Sequence, residues 1–253
     1  MNPNFEKESA LKVRDLTLKY GTRTILEKVS FDVKQGSCMV VMGGSGCGKS
    51  TLLKAMTGLL KPTQGRVEFW DSSLWGRSQL PHDDVLANFG VLFQGGALWS
   101  SMNLIENISL PMETFSKLNS KEIEDLASYK LSLVGLSGCE LLYPSELSGG
   151  MQKRAGLARA LAMDPSILFL DEPSAGLDPV NSRNLDDLIL ELKDSLGITF
   201  VVVTHELDSI FSISDNSIFL DNESKTVLDQ GKPHELMEHS RFDKIRSFLH
   251  YNS

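Results

Sequence analysis

The sequence predicts an α/β fold with a largely parallel central sheet that is covered by helices on both faces. Three continuous apolar runs, residues 38–42, 166–170 and 199–204, are typical of parallel strands that are buried on both faces. Between the second and third runs, apolar residues from Leu185 to Leu192 follow the i, i+3, i+4, i+7 spacing of an amphipathic helix. Strand, crossover helix and strand together form the unit from which doubly wound parallel sheets are built.

The composition is that of an ordinary globular protein with an acidic balance. The chain has 253 residues, 41% of them hydrophobic, and a formal net charge of -8. No lysine- or arginine-rich run is present, which argues against nucleic acid as the main partner, because backbone binding needs a basic stripe. Cys38, Cys47 and Cys139 lack the spacing of a metal or redox motif, so we expect reduced thiols.

We expect a cytoplasmic protein that reaches a membrane only through a partner. No apolar run approaches the ~18 residues that a membrane helix needs. Residues 1–8 are polar and lack the basic start and apolar core of a signal peptide.

The most informative stretch joins the 38–42 strand to a helical pattern over residues 51–60. It has the spacing G-x-x-x-x-G-K-S of a phosphate-binding P-loop, in the strand–loop–helix context that the motif requires. Glycines allow successive backbone N–H groups to converge on phosphate oxygens, and the helix N-terminus adds partial positive charge. Lys49 is then expected to reach the β- and γ-phosphates and Ser50 to bind Mg²⁺. The nucleotide-binding candidates are Gly43, Gly44, Ser45, Gly46, Cys47, Gly48, Lys49, Ser50 and Thr51.

The segments that flank this loop have strand patterns. Residues 11–33 alternate apolar and polar side chains with glycine breaks, which predicts antiparallel strands before the P-loop strand. Tyr20 ends one of them, either as an adenine-stacking aromatic or as a plain strand residue. A turn at 61–65 leads to a strand at 66–70, and a buried strand follows at 89–94 after the polar loop 71–88.

The middle of the chain has helical character, which predicts a helical subdomain, about 95–165, inserted into a single domain spanning 1–253. Helical patterns cover 121–134, with an N-cap near Ser120, and 149–163. Beyond the third apolar run, 217–220 and 226–228 predict a closing hairpin, and a charged helix is expected over 233–250.

Two carboxylates follow the 166–170 strand. Ligands of open α/β sheets bind beyond the carboxyl ends of the strands, so Asp171 and Glu172 should face the phosphates. Asp171 is then placed to bind Mg²⁺ and Glu172 to deprotonate the attacking water. The alternative for this pair is a solvated acidic turn.

These motifs, together with five further marks that stand in the family's order along the chain, resemble the ABC-type ATPases over residues 11–231. Residues 147–151, Leu-Ser-Gly-Gly-Met, resemble the LSGG signature of that family. Gln94 is similar to the Q-loop glutamine, residues 174–178 to the D-loop, His205 to the switch histidine and Tyr20 to the adenine-stacking aromatic. The resemblance implies a P-loop NTPase (RecA-like) fold with an N-terminal antiparallel β subdomain and an inserted helical subdomain that carries the signature.

The resemblance also implies what the site does. ATP and Mg²⁺ are the implied ligands, with Glu172, His205 and Gln94 in hydrolysis and Ser50, Gln94 and Asp171 at the metal. Residues 148–150 begin a second helix, whose exposed N–H groups form a second phosphate cradle. By analogy, two copies sandwich two ATPs head to tail, each site pairing the Lys49 of one chain with the Ser148, Gly149, Gly150 and Asp178 of the other.

One segment points to a subfamily. Residues 93–108, and Met151 followed by Lys153, resemble the Mla/Mce-type ATPases that energise transport of phospholipid or other lipid. The partners implied are a membrane permease and an Mce-domain substrate-binding protein, at the cytoplasmic face of the inner membrane. Such ATPases often continue past the final helix, whereas this chain stops at residue 253, which leaves a contact made by that tail in doubt.

Several alternatives remain open at this point. One alternative is the ATPase of another ABC importer or exporter, and a second is an ABC-type assembly factor that does not serve transport. A DNA-handling ABC ATPase is excluded, because it would need long coiled-coil insertions that this sequence does not contain. A binding module without turnover would lack Glu172 or His205, and both are present. Residues 95–112 are equally a permease-docking segment or ordinary subdomain core.

Overall fold

Ten strands and nine α-helices are found in the computed structural model, which describes residues 9–76 and 80–250. The strands β1 to β10 are Ser9–Tyr20, Arg23–Lys34, Cys38–Met42, Gln64–Phe69, Ser72–Ser73, Phe89–Leu92, Ile167–Asp171, Thr199–Val203, Asn216–Leu220 and Val227–Gly231. The helices α1 to α9 are Lys49–Met56, Asp83–Leu86, Leu104–Phe115, Ser120–Leu133, Gly149–Ala160, Pro179–Leu196, Leu207–Ile213, Pro233–His239 and Asp243–His250. The polar N-terminus, for which we expected no signal peptide, and the last three residues lie outside the described part.

Six strands form the central sheet in the order β10-β9-β3-β8-β7-β6. All neighbours are parallel except β10, which pairs antiparallel with β9 as the predicted closing hairpin. The carboxyl ends of β3, β6, β7 and β8 therefore meet at one edge, and each is followed by residues singled out from the sequence. A second, four-stranded sheet of order β2-β1-β4-β5 is antiparallel, as the alternation of residues 11–33 predicted.

The central sheet separates two hydrophobic cores. In β3, Val40 and Met42 pack into the core that contains the helices between β6 and β7, while Met39 and Val41 face the antiparallel sheet and α1. All five residues of β3 are buried, which explains why the run is continuously apolar and does not alternate.

The region between β6 and β7 holds α3, α4 and α5, as its helical pattern predicted. The N-cap of α4 is Asn119, the residue directly before Ser120, near which an N-cap is predicted. Asn119 caps the helix, because its Oδ1 accepts from the N–H groups of Lys121 and Glu122, and Glu122 Oε2 in turn accepts from the Asn119 N–H.

The prediction of a single helix over 233–250 was wrong, because this segment forms two helices, α8 and α9. Ser240 leaves the helical conformation, with φ -58° and ψ 135°, and ends α8, and its hydroxyl donates to Asp229 Oδ2 at 2.6 Å. After the break, Ile245 and Leu249 of α9 are buried in the same core as Leu236 of α8. The strand expected at 66–70 ends at Phe69, because Trp70 has a left-handed backbone, with φ +43°.

A buried carboxyl joins α6 to α7. Asp186 is 2% exposed and accepts a hydrogen bond from Ser209 Oγ at 2.8 Å, while no donor within the described residues reaches its Oδ1. Burial raises the pKa of Asp186 to about 6, helped by the charges of Asp187 and Asp208 and opposed by the Ser209 hydrogen bond.

Asp186→Asn is expected to stabilise the protein above pH 7. Because the pKa of Asp186 is higher in the folded protein than in the unfolded chain, folding favours the protonated carboxyl. The contribution of Asp186 to stability is therefore fully present below the unfolded-state pKa near 3.8, and it is lost as the pH rises through the folded-state pKa of about 6. The amide keeps an acceptor for Ser209 and carries no charge, so we expect a gain on the order of 1–3 kcal/mol at pH 7.5 and little change at pH 4. Denaturant unfolding across pH 4–8 measures this gain in stability, with Asp194→Asn, at an exposed position of the same helix whose charge does not act on Asp186, as control. Equal effects of the two variants at pH 7.5 would contradict the assignment.

Candidate functional site

The loop between β3 and α1 has a backbone that requires glycine at two positions. Gly43 has φ +146°, and a Cβ there would lie 2.3 Å from the Leu220 carbonyl oxygen. Gly48 has φ +103° and immediately precedes α1. The loop therefore curves so that the helix N-terminus opens toward its concave side, as a phosphate cradle needs.

Lys49 lies across this loop. Its Nζ donates to the carbonyls of Gly43 at 2.8 Å and of Gly44 at 3.3 Å, so its ammonium group is held where phosphate oxygens would approach. Cys47 is 2% exposed, and burial raises the pKa of its thiol, with Lys49 opposing the shift. The Cys47 side chain is therefore a small neutral packing group, as we expected.

The candidate metal ligands adjoin one another. Asp171 is the last residue of β7, and the Ser50 hydroxyl donates to its Oδ1 at 3.4 Å. Burial raises the pKa of Asp171, and the Glu172 charge adds to the shift, while the Ser50 hydrogen bond and the charges of Lys49 and Lys54 lower it. A hydroxyl and a carboxylate are hard oxygen ligands that suit Mg²⁺, which commonly takes only one or two protein ligands beside phosphate oxygens.

Glu172 has a strained backbone and a histidine partner. Its φ is +47°, in the left-handed region that residues other than glycine rarely adopt. Its side chain is 12% exposed, and Oε1 lies 2.8 Å from His205 Nδ1, just beyond β8. Among the described residues no group donates to Glu172 Oε2. The carboxylate thus has one oxygen held by the histidine and the other without a hydrogen-bond partner.

The P-loop, Glu172 and His205 border one open cleft of about 690 Å³, whereas the predicted site residues Cys47 and Asp171 are not among the residues that line it. Tyr20, 48% exposed, stands at one side of it, and Gln94, in the loop after β6, lies at another. The sequence-predicted residues that line the cleft are Tyr20, Gly43, Gly44, Ser45, Gly46, Gly48, Lys49, Ser50, Thr51, Gln94, Glu172 and His205. Arg23, Ile25 and Phe248 line it too and were not predicted, because ordinary strand and helix residues carry no motif signal.

The signature and D-loop residues lie away from this cleft. Ser148 is the N-cap of α5, and its Oγ accepts from the Met151 N–H at 3.3 Å. Asp178 caps α6 in the same way by accepting from Val180 and Asn181. Ser148, Gly149 and Asp178 are exposed, and Gly150 lies beside Asn181 in the first turn of α6. A single chain thus presents two neighbouring helix N-termini outward, separate from its own P-loop cleft.

Two further groups shape the site and were missed as functional residues. Asn107 is fully buried in α3, donates to the carbonyls of Trp99, Met102 and Asn103 and accepts from the Trp99 N–H, so it holds the loop after Gln94. Lys153, 7% exposed in α5, donates to the backbone carbonyls of Gln94 and Glu172. Both residues belong to the segments that carry the subfamily resemblance, but sequence pattern treats a lysine or an asparagine in a helix as surface, so neither was given a role in the site.

The fold and the cleft define a P-loop nucleotide-binding domain. A family model described as ABC transporter matches residues 26–175, which is more than half of the chain. The chain belongs to the ABC transporter family, as an ATP-binding and ATP-hydrolysing subunit.

Relatives and solved structures support this assignment. The chain is 36% identical over 231 residues to the Intermembrane phospholipid transport system ATP-binding protein MlaF of Haemophilus influenzae, covering 91% of this chain and 87% of the relative. It is 39% identical over 240 residues to the Probable ribonucleotide transport ATP-binding protein mkl of Mycobacterium leprae, covering 95% of this chain and 68% of the relative.

Two solved structures share the fold. CbiO1 from Clostridium perfringens, part of the ABC transporter complex cbiONQ, superposes with a TM-score of 0.83 at 30% identity, covering 92% of each chain. The ATP-binding cassette MJ0796, a dimer in a post-hydrolysis state bound to ADP and Pi, gives a TM-score of 0.76 at 29% identity, covering 88% of this chain and 98% of that one. Within residues 9–76 and 80–250, no helix is long and apolar enough to cross a membrane.

Proposed function

We propose that this ATPase powers the transport of phospholipid or another lipid through a partner permease, together with an Mce-domain protein, at the cytoplasmic face of the inner membrane. The observation that carries the lipid assignment is the 36% identity to MlaF over nearly the whole of both chains. The resemblance of residues 93–108 to the lipid-transport ATPases agrees with it. The name of mkl points to a different cargo, ribonucleotides, so another ABC transport system is the second candidate.

In this proposal the cleft binds ATP and supports its hydrolysis. The P-loop amides and Lys49 hold the phosphates, and Tyr20 stacks on the adenine. Ser50, Asp171 and Gln94 would hold Mg²⁺, which would supply positive charge that neutralises the phosphates. Glu172 takes the proton of the attacking water through its carboxylate, and His205 orients that carboxylate from 2.8 Å.

A second copy completes each site. Ser148 and Asp178 are exposed helix caps, Gly149 and Gly150 begin α5 beside them, and none of these residues lines the cleft of its own chain. A head-to-tail pair would place the α5 N-terminus of one chain, with its partial positive charge, against the phosphates held by the other. ATP then acts as a ligand that favours the closed pair, and loss of the γ-phosphate contact reopens it.

The permease docks beside the loop that follows Gln94. Most apolar residues of the 95–112 segment belong to the core, but Trp99 is 57% exposed on a loop that Asn107 fixes. The 140–142 segment pairs with the first turn of α3, where the Leu104 and Ile105 N–H groups donate to it, and Leu141 there is 74% exposed. The Trp99 and Leu141 side chains are thus held on hydrogen-bonded backbone near the loop that follows Gln94. This position would allow a conformational change on ATP binding in the cleft to reach a membrane partner.

The assembled complex tests the proposal. We expect the chain, purified with its permease in detergent and reconstituted, to move fluorescent phospholipid between membranes only when ATP is supplied. The double variant Trp99→Ser, Leu141→Ser is expected to lose permease co-purification and lipid transfer while the isolated chain keeps its ATPase rate, because neither residue lines the cleft.

Leu196→Ser is the matched control. Leu196 is 45% exposed at the end of α6, which runs back from the carboxyl edge of the sheet toward the amino ends of the strands. We expect this variant to retain assembly and transfer. ATP-dependent movement of ribonucleotides without movement of lipid would instead support the second candidate.

A further inference from the structure

One buried lysine connects three parts of the site that are far apart in sequence. Lys153 lies in the second turn of α5, the helix that begins at Ser148, and only 7% of it is exposed. Its Nζ donates to the carbonyl of Gln94, just beyond β6, and to that of Glu172, just beyond β7, the latter at 3.3 Å. Because β6 and β7 are adjacent parallel strands, one ammonium group spans both strand ends.

The backbone that Lys153 contacts is strained. A left-handed conformation at a residue such as Glu172 is unfavourable and persists only where the surroundings impose it. Here the Glu172 N–H donates to the Val203 carbonyl at 2.8 Å, and the Glu172 carbonyl accepts from Ala175 and Lys153. Of these contacts, only the one from Lys153 comes from the helical region between β6 and β7.

The surroundings of Lys153 compensate for the burial of its positive charge. An ammonium group taken out of water needs hydrogen bonds and opposite charge. The carbonyls of Gln94 and Glu172 supply the hydrogen bonds, and the negative charges of the Glu172 and Asp171 carboxylates favour the charged ammonium group. Burial has the larger effect, so the pKa of Lys153 is lowered. Lys153 does not line the cleft, so it acts through its neighbours.

We propose that Lys153 is a positioning residue for hydrolysis: it fixes the backbone of Glu172 and Gln94 to the helix that begins with the signature. This inference rests on the proposed role of Glu172 as the base. Without Lys153, the Glu172 carboxylate would lose its fixed place next to His205, while the P-loop that binds ATP would be untouched.

The test compares two buried lysines of the same region. Lys153→Met removes the ammonium and keeps the length of the side chain. Lys130→Met does the same in α4, where the lysine, 2% exposed, pairs with Asp164 and does not line the cleft. We expect Lys153→Met to lower kcat by about ten- to a hundredfold with KM and nucleotide affinity nearly unchanged, since small misplacements of a catalytic group cost this much. Lys130→Met should keep wild-type kcat per folded molecule, and Lys153→Arg, which can donate to both carbonyls, should recover most of the loss.

A double-mutant cycle separates positioning from general damage. If Lys153 acts through Glu172, then Lys153→Met in a Glu172→Gln chain should reduce the residual rate far less than it does in the wild type. A folded Lys153→Met chain with wild-type kcat, equal losses in the two lysine variants, or additive losses in the cycle would each overturn the proposal. Should Lys153→Met not fold, Lys153→Ala serves in the same comparisons. A wild-type rate in Glu172→Gln alone would instead refute the proposed base.

Discussion

Glu172→Gln is expected to reduce ATP turnover by about 10²–10⁴-fold, the range that a general base contributes, while ATP binding is preserved. Glutamine has nearly the shape of glutamate and can still bond to His205, but it cannot take a proton from water. Because the P-loop and Lys49 are unchanged, the variant should bind ATP normally and accumulate as a dimer with ATP and Mg²⁺. Phosphate release, nucleotide titration and light scattering measure the three effects.

A second carboxylate at the same histidine provides the control. Glu206 Oε1 lies 3.8 Å from His205 Nε2, and its side chain is 50% exposed, outside the residues that line the cleft. Glu206→Gln removes the same charge from the other side of the ring and should hydrolyse ATP at close to the wild-type rate. If Glu172→Gln also hydrolyses at that rate, Glu172 is not the base. If it stays monomeric with ATP and Mg²⁺, the head-to-tail pair is wrong.

Lys49→Ala is expected to weaken ATP binding so far that no productive complex forms at ATP concentrations that saturate the wild type. The ammonium group contacts only the Gly43 and Gly44 carbonyls among the hydrogen bonds of the described residues, so its removal should leave the fold intact. A hydrogen bond to a charged group contributes about 1.5–3 kcal/mol, which corresponds to a loss of affinity on the order of ten- to a hundredfold. Equilibrium titration with a fluorescent ATP analogue and a parallel hydrolysis assay measure the change.

Lys54→Ala is the matched control for this variant. Lys54 is exposed in the same helix, α1, and does not line the cleft, although its charge acts on Asp171. Its removal should leave ATP affinity within a few-fold of the wild type. Unchanged affinity in Lys49→Ala, or equal losses in the two lysine variants, would contradict the phosphate role of Lys49. The two large predictions are also separable from each other, because Lys49→Ala loses binding whereas Glu172→Gln loses only turnover.

The sequence was sufficient wherever the physical cause is local. Apolar runs, glycine spacing and the order of the motifs depend on neighbouring residues, so the parallel core, the P-loop and the antiparallel strands could all be derived from the printed chain. The positions of Asp171 and Glu172 followed from a topological rule, since the carboxyl ends of parallel strands meet at one edge of the sheet. The signature, Q-loop and D-loop were recognised only by resemblance, because glycines and single polar residues carry little information by themselves.

Only the tertiary structure decided which of these residues share a surface. It brings Tyr20, the P-loop, Gln94, Glu172 and His205 to one cleft and leaves the signature helix facing outward. It divides the C-terminal helix at Ser240, because a hydroxyl contact to Asp229, eleven residues earlier, ends α8. It also buries Lys153 against Gln94, 59 residues away, where nothing in the surrounding sequence marks a lysine as interior. Local pattern sets the elements, but burial, charge pairing and backbone strain depend on contacts between distant segments, and these exist only once the chain has folded.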